Sequence, residues 1–416
     1  MATIDVTAPF DGSSIGEVPV SSASDIEDAL AIAHALYKNK NGWIALPNRL
    51  DILRRAADII KERREELALL AAREGGKPLA DSLVELDRAA DGVENCVEVM
   101  RAEGGEVIPM GINPASMGHA AFTQREPIGV VVAVSAFNHP FNLIVHQVAP
   151  AVATGCPVII KPAEVTPLSC FAFVEILYEA GLPKEWCQVV VPEDLDLATK
   201  LVTDPRNALF SFIGSARVGW MLRSKLAPGT RCALEHGGAA PVIVAKDADM
   251  IDAVPRLAKG GYYHGGQVCV SVQRVYAHAD IAVDLAVALA AEGEKMKVGD
   301  PLDADTEVGP LIRTAEVDRV HEWVTSAIAA GAKLITGGEK IGDSCYKPTV
   351  LYDPPKDAEV SKNEIFGPVI CVYPYTDMDE AIDRANSLDV SFQAAVFTKN
   401  IDTALRAYKR PDGTAI

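Results

Sequence analysis

The stretch GVVVAVSAFNHPFNLIVHQVAPAVATGCPVIIKPAEV (129–165) decides the predicted fold. It contains two short apolar runs, 129–134 and 157–161, of the kind that buried parallel strands form, and a helical stretch from about Leu143 lies between them. The alternation continues with a helix near Pro167, strands over 187–191 and 208–214, and a helix from Ser215. Such alternation predicts a parallel, doubly wound α/β sheet, the architecture that presents its strand ends to a nucleotide.

A second region of the same character begins at LEHGGAAPVIV (234–244) and runs through residue 410. Because 416 residues are too many for a single hydrophobic core, at least two domains are expected. Ahead of the first sheet, 24–37 and 48–73 are predicted as helices, and Gly75 with Gly76 stops the second one.

The composition excludes several classes of protein. Hydrophobic residues make up 49% of the chain and the formal net charge is −18, which argues against nucleic acid or an anionic membrane as a partner. Residues 127–160 carry no charge, but prolines and polar side chains interrupt them, so no membrane span is expected. The eight cysteines show no metal-ligand spacing, and the N-terminus shows no secretory signal, so we predict a reducing, cytoplasmic location and no metal site.

Three segments carry candidate catalytic residues. HGGQVCVS (264–271) places Cys269 after a glycine turn, where a thiol is either a nucleophile or a small buried core residue. LEHGG (234–238) places Glu235 at a strand end, as a general base or as a solvated loop residue. SAFNHPFN (135–142) places Asn138 after a buried strand, as an oxyanion donor or as an ordinary turn residue.

Three further segments suit a nucleotide. KPAEVTPLS (161–169) puts Lys161 and Glu164 between a strand and a helix, where they can bond a ribose or phosphate. FIGSARVG (212–219) is a second strand-to-helix turn with two glycines, although it is not a GxGxxG motif. NEIFGPV (363–369) offers Glu364 and Phe366 beside a Gly-Pro turn.

Together and in this order, these segments and EVGPL (307–311) resemble the aldehyde dehydrogenase superfamily from about residue 6 to the end of the chain. The resemblance implies oxidation of an aldehyde to a carboxylic acid with NAD(P) as hydride acceptor. In this mechanism Cys269 attacks as a thiolate, forming first a thiohemiacetal and then a thioester. The side-chain amide of Asn138 and the backbone N–H of Cys269 hold the oxyanion, and Glu235 activates the hydrolytic water.

The resemblance also implies the cofactor residues and the domains. Lys161 and Glu164 bind the adenine ribose, and the remaining cofactor residues are Gly214, Ser215 and Gly219 at the pyrophosphate, Glu364 at the nicotinamide ribose, and Phe137 and Phe366 packing nearby. NAD is favoured over NADP, because a carboxylate at 164 repels a 2′-phosphate. The expected architecture is a Rossmann-like cofactor domain over 1–236, interrupted by a small β oligomerisation arm over 114–127, and a second α/β catalytic domain over 237–416.

Two departures from the family bear on assembly and substrate. The chain stops at RPDGTAI (410–416), where relatives continue, so a C-terminally incomplete catalytic domain is expected, and a homodimer or homotetramer is expected to be weakened. His139 and His146 stand where the family often has aromatic or aliphatic residues. Either backbone carbonyls satisfy these imidazoles, or they bind a small polar or anionic aldehyde.

Three alternative functions remain. In a CoA-acylating semialdehyde dehydrogenase, CoA instead of water releases the acyl group, but that type typically lacks the glutamate found here at 235. A non-catalytic cofactor-binding protein on the same scaffold would be expected to lack the catalytic residues. A cysteine hydrolase would use His264 as the partner of Cys269, which leaves the nucleotide-like turns unexplained.

Overall fold

A computed structural model describes residues 2–388 and 392–411. The N-terminal part contains β1 (Thr3–Thr7), β2 (Ser14–Pro19), α1 (Ala23–Lys38), α2 (Leu46–Glu62), α3 (Arg64–Gly75), α4 (Leu79–Ala102), β3 (Val107–Ile108) and β4 (Ala121–Phe122). The single helix predicted over 48–73 is wrong, because the backbone of Arg63 (φ −100°, ψ 18°) leaves the helical region between α2 and α3. Gly76, at φ 71°, ends α3 in the left-handed conformation that glycine adopts without strain.

The first large sheet has five strands, and each neighbouring pair in it is parallel. Its elements are β5 (Val130–Val134), α5 (Asn142–Thr154), β6 (Val158–Lys161), α6 (Leu168–Glu179), β7 (Cys187–Val189), α7 (Leu195–Thr203), β8 (Asn207–Ile213), α8 (Ala216–Arg223) and β9 (Arg231–Glu235). The strand predicted over 187–191 is two residues shorter, ending at Val189. The uncharged segment 127–160 supplies β5, α5 and most of β6, which are largely buried. No helix in the described ranges has the length and apolar character needed to cross a membrane.

The strand order of this sheet is β7-β6-β5-β8-β9. Strands are therefore added on one side of β5 up to β7 and on its other side from β8 onward, and the loops that follow the neighbouring strands β5 and β8 diverge to opposite faces. In open parallel sheets the crevice at such a point, outside the carboxyl ends of the strands, is where ligands bind. The loop after β5 carries Asn138, and the loop after β8 carries Gly214 and Ser215.

The second large sheet has six strands in the order β12-β15-β16-β11-β10-β17, and all neighbouring pairs except β12-β15 are parallel. Its region contains β10 (Ala240–Val244), α9 (Met250–Tyr262), β11 (Val272–His278), α10 (Ala279–Lys295), α11 (Thr314–Ala329), β12 (Lys333–Thr336), β13 (Lys340–Ile341), β14 (Cys345–Tyr346), β15 (Thr349–Tyr352), α12 (Glu359–Lys362), β16 (Val369–Tyr375), α13 (Met378–Ala385), β17 (Ala395–Phe397) and α14 (Ile401–Tyr408). The predicted fold class, two α/β parts with a parallel cofactor-type sheet, is confirmed.

Three neighbouring strands of the second sheet begin where the first sheet ends. The segment before β10 carries Gly237 and Gly238 and directly follows Glu235, the last residue of β9. The segment before β11 carries Cys269, and the segment before β16 carries Glu364 and Phe366. Because these strands are parallel neighbours, their amino ends lie side by side. The predicted boundary at 236/237 stays a prediction; it lies between β9, which ends at Glu235, and β10, which begins at Ala240.

The segment predicted as the oligomerisation arm over 114–127 contains β4, which pairs antiparallel with β3. Its role in assembly is untested. The C-terminal end of the predicted catalytic domain, 412–416, lies outside the described residues.

Candidate active site

A cavity of about 830 Å³ lies between the carboxyl ends of β5, β8 and β9 and the amino ends of β10, β11 and β16. Both parts of the fold contribute to its walls. The predicted site residues that line it are Phe137, Asn138, His139, Gly214, Ser215, Glu235, Cys269, Glu364 and Phe366. Four predicted residues, Lys161, Glu164, Gly219 and His146, lie outside this lining.

The turn before Cys269 has an unusual backbone. His264, Gly265 and Gly266 follow each other at φ 51°, 61° and 73°, all in the left-handed region. A histidine held there stores of order 1–3 kcal/mol of strain, which the surrounding structure must offset. A side chain at Gly266 would place its Cβ 2.1 Å from the carbonyl oxygen of Gly367, so only glycine fits. The turn thereby brings the half-buried Cys269 to the cavity wall.

Asn138 is tied directly to this turn. Its side-chain Nδ2 donates to the carbonyl oxygen of Gln267 over 2.9 Å, and the residue is only 4% exposed. The Gln267 side chain in turn donates to the carbonyl of Pro310 and accepts from the N–H of Ile312. One hydrogen of the Asn138 amide is thus used for positioning, and the second is free to donate to an oxyanion in the cavity.

Gly237 explains how Glu235, Cys269 and Glu364 come together. A Cβ added at Gly237 would lie 2.0 Å from Oε1 of Glu364 and 3.2 Å from Cα of Cys269. The next residue, Gly238, donates its N–H to the same carboxylate oxygen over 3.1 Å. The absence of a side chain therefore lets the segment after Glu235 touch the other two loops. The LEHGG motif identified Glu235, but the role of its glycines was missed.

Burial and two neighbouring carboxylates keep Cys269 a neutral thiol. Burial raises its pKa to about 11, the carboxylates of Glu235 and Glu364 act in the same direction, and the side chain of Arg88 opposes them. Burial also raises the pKa of Glu364 to about 7, against the N–H of Gly238 and the charge of Arg319. In this state the thiol needs to lose its proton before it can attack, because the thiolate is the nucleophile.

The glycine turn after β8 fits a dinucleotide phosphate. Ser215 is the N-cap of α8 and its side chain forms no capping hydrogen bond, so the first N–H groups of the helix are open toward the cavity that Gly214 and Ser215 line. Gly219 lies inside α8 and packs on Phe212, which a Cβ would meet at 3.0 Å. Its assignment to the pyrophosphate stays a prediction.

Lys161 and Glu164 line an adjoining cavity of about 270 Å³, which they share with Phe137 and Phe366. The Nζ atom of Lys161 lies 3.0 Å from a carboxylate oxygen of Glu164. The rings of Phe137 and Phe366 meet edge to face with their centroids 5.8 Å apart, at the junction of the two cavities. This arrangement gives hydroxyl-binding groups beside an aromatic wall, which suits a ribose.

The two histidines differ in their surroundings. His139 lines the main cavity and its Nδ1 lies 3.0 Å from Nζ of Lys77. His146 is exposed, on the side of α5 that faces Gly92 of α4. Neither imidazole bonds a backbone carbonyl among the described residues, so that alternative is wrong for both. The charged partners in this region, Lys77, Glu85 and Arg88, were missed from the sequence.

A model of the aldehyde dehydrogenase family matches residues 1–413 of the chain. The chain belongs to this family. A curated relative, 3-sulfolactaldehyde dehydrogenase of Priestia aryabhattai, is 38% identical over 391 residues, which cover 94% of this chain and 81% of the relative. The betaine aldehyde dehydrogenase of Cereibacter sphaeroides is 36% identical over 411 residues, covering 97% of this chain and 83% of the relative.

Solved structures of dehydrogenases that act on aldehydes superpose closely on this chain. Aldehyde dehydrogenase 21 of Physcomitrella patens, in complex with its reaction product succinate, superposes with a TM-score of 0.95 at 34% identity, covering 100% of this chain and 86% of that one. The glyceraldehyde-3-phosphate dehydrogenase of Methanocaldococcus jannaschii, complexed with NADP, superposes with a TM-score of 0.93 at 32% identity. The match covers 99% of this chain and 89% of that one. The chain is an NAD(P)-dependent aldehyde dehydrogenase, as the sequence predicted, and the comparisons lend no support to the CoA-acylating or non-catalytic alternatives.

The environment of Cys269 predicts how its alkylation by iodoacetamide depends on pH. Without cofactor, the rate should rise roughly tenfold per pH unit from 7 to 9 with no plateau, because only the thiolate reacts and the thiol pKa is about 11. Glu364→Gln removes a charge that raises this pKa, so the variant should react roughly threefold faster at pH 8. The difference should shrink below pH 7, where Glu364 itself is protonated.

The matched control is Glu322→Gln, which removes an exposed charge on α11 and should leave the profile unchanged. A plateau of the wild-type rate near neutral pH would show that the free enzyme already holds a thiolate and would contradict this description.

Proposed function

We propose that this aldehyde dehydrogenase oxidises a small aldehyde with an anionic group, and that Cys269, Glu235 and Asn138 carry out the reaction. The proposed substrate class rests on one residue, Arg88. Its guanidinium acts electrostatically on Cys269, His139 and His146 together. Within the described part of the chain, Arg88 has no ion-pair partner. In a protein of net charge −18, an exposed and unpaired cation whose charge lowers the pKa of the nucleophile suits a ligand anion.

The position of Arg88 on α4 supports this reading. It is exposed and lies one turn from the buried Glu85, and Gly92 one turn further on packs against Val145 and His146 of α5. Arg88 is not among the residues that line the cavity, but its helix packs through Gly92 on α5, and Leu143 of α5 lines the cavity. His146 is the second group there that can bond an anion. Burial lowers the pKa of His146 more than the carboxylate of Glu235 raises it, so His146 acts mainly as a neutral donor.

Three of the similar proteins described above have an anionic molecule in their printed descriptions: the sulfolactaldehyde dehydrogenase, the glyceraldehyde-3-phosphate dehydrogenase, and aldehyde dehydrogenase 21 with its product succinate. The betaine aldehyde dehydrogenase of similar identity acts on a cationic aldehyde, so relatedness alone does not select the charge. Arg88 favours the anion.

We assign the catalytic roles as follows. Sγ of Cys269, once deprotonated, attacks the aldehyde carbon, and its own N–H and the free hydrogen of the Asn138 amide stabilise the oxyanion. A bound NAD(P) would supply the hydride acceptor, and loss of hydride from the thiohemiacetal carbon would leave a thioester on Cys269. Glu235 then takes a proton from water, the water oxygen attacks the thioester carbon, and the Cys269 thiolate leaves as the carboxylic acid forms.

We assign the cofactor to Ser215 and the open N-terminus of α8 for its diphosphate, Glu364 for the nicotinamide ribose, and Lys161 with Glu164 for the adenine ribose. NAD is the preferred form. A 2′-phosphate would meet the Glu164 carboxylate, while a 2′-hydroxyl can donate to it. Lys161 pairs with Glu164 over 3.0 Å and lessens this repulsion, so NADP is used less efficiently instead of being rejected.

We also propose that the chain assembles through the arm and resides in the cytoplasm. The arm (114–127) holds Met117 and Phe122 in solvent, and the segment that pairs with it and leads into it holds Val107 and Ile112 there too. Exposed apolar groups on a strand pair are typical of an interface. All eight cysteines are unpaired, which suits a reducing compartment.

The substrate proposal is tested by Arg88→Ala, assayed by NADH formation with succinate semialdehyde and with butanal. Loss of the guanidinium should lower kcat/KM for the anionic aldehyde by roughly tenfold or more, because a charge-assisted bond is lost, and change that for butanal much less. The control is Arg101→Ala on the same helix, whose side chain pairs with Glu98 away from the cavity. Equal losses for both aldehydes would rule out Arg88 as the anion site.

The assembly proposal is tested by light scattering. The wild-type chain should be at least dimeric, and Val107→Lys/Phe122→Lys should be monomeric, because two charges would be buried in the interface. Val283→Lys, on the exposed side of α10, is the control. A monomeric wild type would disprove the role of the arm.

A further inference from the structure

Behind the wall that carries Asn138 lies a fully buried ion pair. The side chains of Lys77 and Glu85 are both 0% exposed and hydrogen-bond each other. The other carboxylate oxygen of Glu85 accepts from the backbone N–H of Phe141 and Asn142, over 3.0 and 2.9 Å. Burial on its own raises the pKa of Glu85, but Lys77, His139 and the Asn142 N–H together hold it below its ordinary value. Glu85 is therefore an anion and an acceptor only.

Lys77 has a second contact, to Nδ1 of His139 over 3.0 Å. Since the lysine ammonium has only hydrogens to offer, this nitrogen must accept. A proton on Nδ1 would point at the ammonium, and Oε2 of Glu85 lies 3.8 Å from Nδ1, too far to accept a hydrogen bond from it. The contact therefore selects the tautomer of His139 that carries its proton on Nε2.

The Nε2 atom faces the cavity. His139 lines the cavity beside Asn138, and its side chain is 15% exposed. Nε2 has no partner among the described residues, and it is not enclosed as both ring nitrogens of the neighbouring His264 are. Tyr263 stacks on the imidazole with the ring centroids 6.1 Å apart, which fixes the ring plane. Because Lys77 bonds Nδ1 and Tyr263 fixes the ring plane, His139 presents its Nε2–H to a ligand in the cavity.

We propose that the Lys77–Glu85 pair fixes His139 as an Nε2–H donor, and that this donor binds an oxygen of the anionic group of the aldehyde. Lys77 and Glu85 are then positioning residues, and His139 determines specificity. The inference rests on the proposed function for the identity of the ligand, but the tautomer does not depend on it. A neutral N–H donor binds an anion without adding a full charge to the cavity wall, because the charge of Lys77 behind it is offset by Glu85.

The tautomer is measured by NMR on the wild-type enzyme with ¹⁵N-labelled histidine at pH 7.5. The His139 signals are identified by their loss in His139→Gln. We expect Nε2 to be protonated and Nδ1 to be unprotonated and hydrogen-bonded. In Lys77→Met/Glu85→Gln, which removes both buried charges together, this preference should be lost. A proton on Nδ1 or an imidazolium in the wild type, or an unchanged tautomer in a folded double variant, would overturn the proposal.

Two substitutions of His139 test the donor in catalysis and need no change to the ion pair. The amide nitrogen of Gln reaches the position of Nε2, and that of Asn reaches the position of Nδ1. His139→Asn should raise KM for succinate semialdehyde by roughly tenfold, as expected for a lost hydrogen bond, and His139→Gln by less than about threefold. Neither should alter the KM for butanal as strongly.

Equal increases in both variants would overturn the donor role. If the wild type shows no preference for anionic over apolar aldehydes, the proposed substrate class fails, and the NMR result still decides the tautomer. The two failures are therefore distinguishable.

Discussion

A single buried carboxylate, that of Glu85, fixes the geometry of one side of the active site. It joins α4 to Lys77, at the α3–α4 corner, and to the first turn of α5, because it accepts from Lys77 and from the N–H groups of Phe141 and Asn142. An unpaired charge in this position would cost several kcal/mol, so α4, Lys77 and the first turn of α5 are held together. Asn138 lies three residues before Phe141, which places the predicted oxyanion donor at the end of this rigid assembly.

The other side of the site is fixed by close packing of backbone. Gly237 lets the segment after Glu235 touch both Glu364 and Cys269, and Gly266 lets the nucleophile turn pass against Gly367. The bond from Asn138 to the carbonyl of Gln267 then connects the two sides. The three catalytic groups come from separate segments of the chain, but each segment is held by a contact that tolerates little displacement. Such preorganisation is what the stabilisation of a developing oxyanion requires.

The sequence predicts the strands of the first sheet and the candidate catalytic residues better than it predicts the side chains that surround them. The strands near 130, 158 and 208 were found because buried parallel strands are continuous apolar runs. The break at Arg63 was missed, since local periodicity carries no signal for it. Lys77 and His139 are 62 positions apart, so no local motif links them. The burial of Glu85 could have been predicted, because it shares the i, i+4 spacing of the apolar residues Ala89, Val93 and Val97 on the buried face of α4.

The central claim is that Cys269 carries the acyl group and that Glu235 is needed to release it. The most direct measurement is mass spectrometry of Glu235→Gln after reaction with NAD and succinate semialdehyde. The account predicts a burst of about one NADH per active site and a tryptic peptide in which Cys269 has gained the acyl mass, since thioester formation persists and its hydrolysis is slowed. NADH formation at the wild-type steady rate, or a burst without an adduct on Cys269, would contradict it.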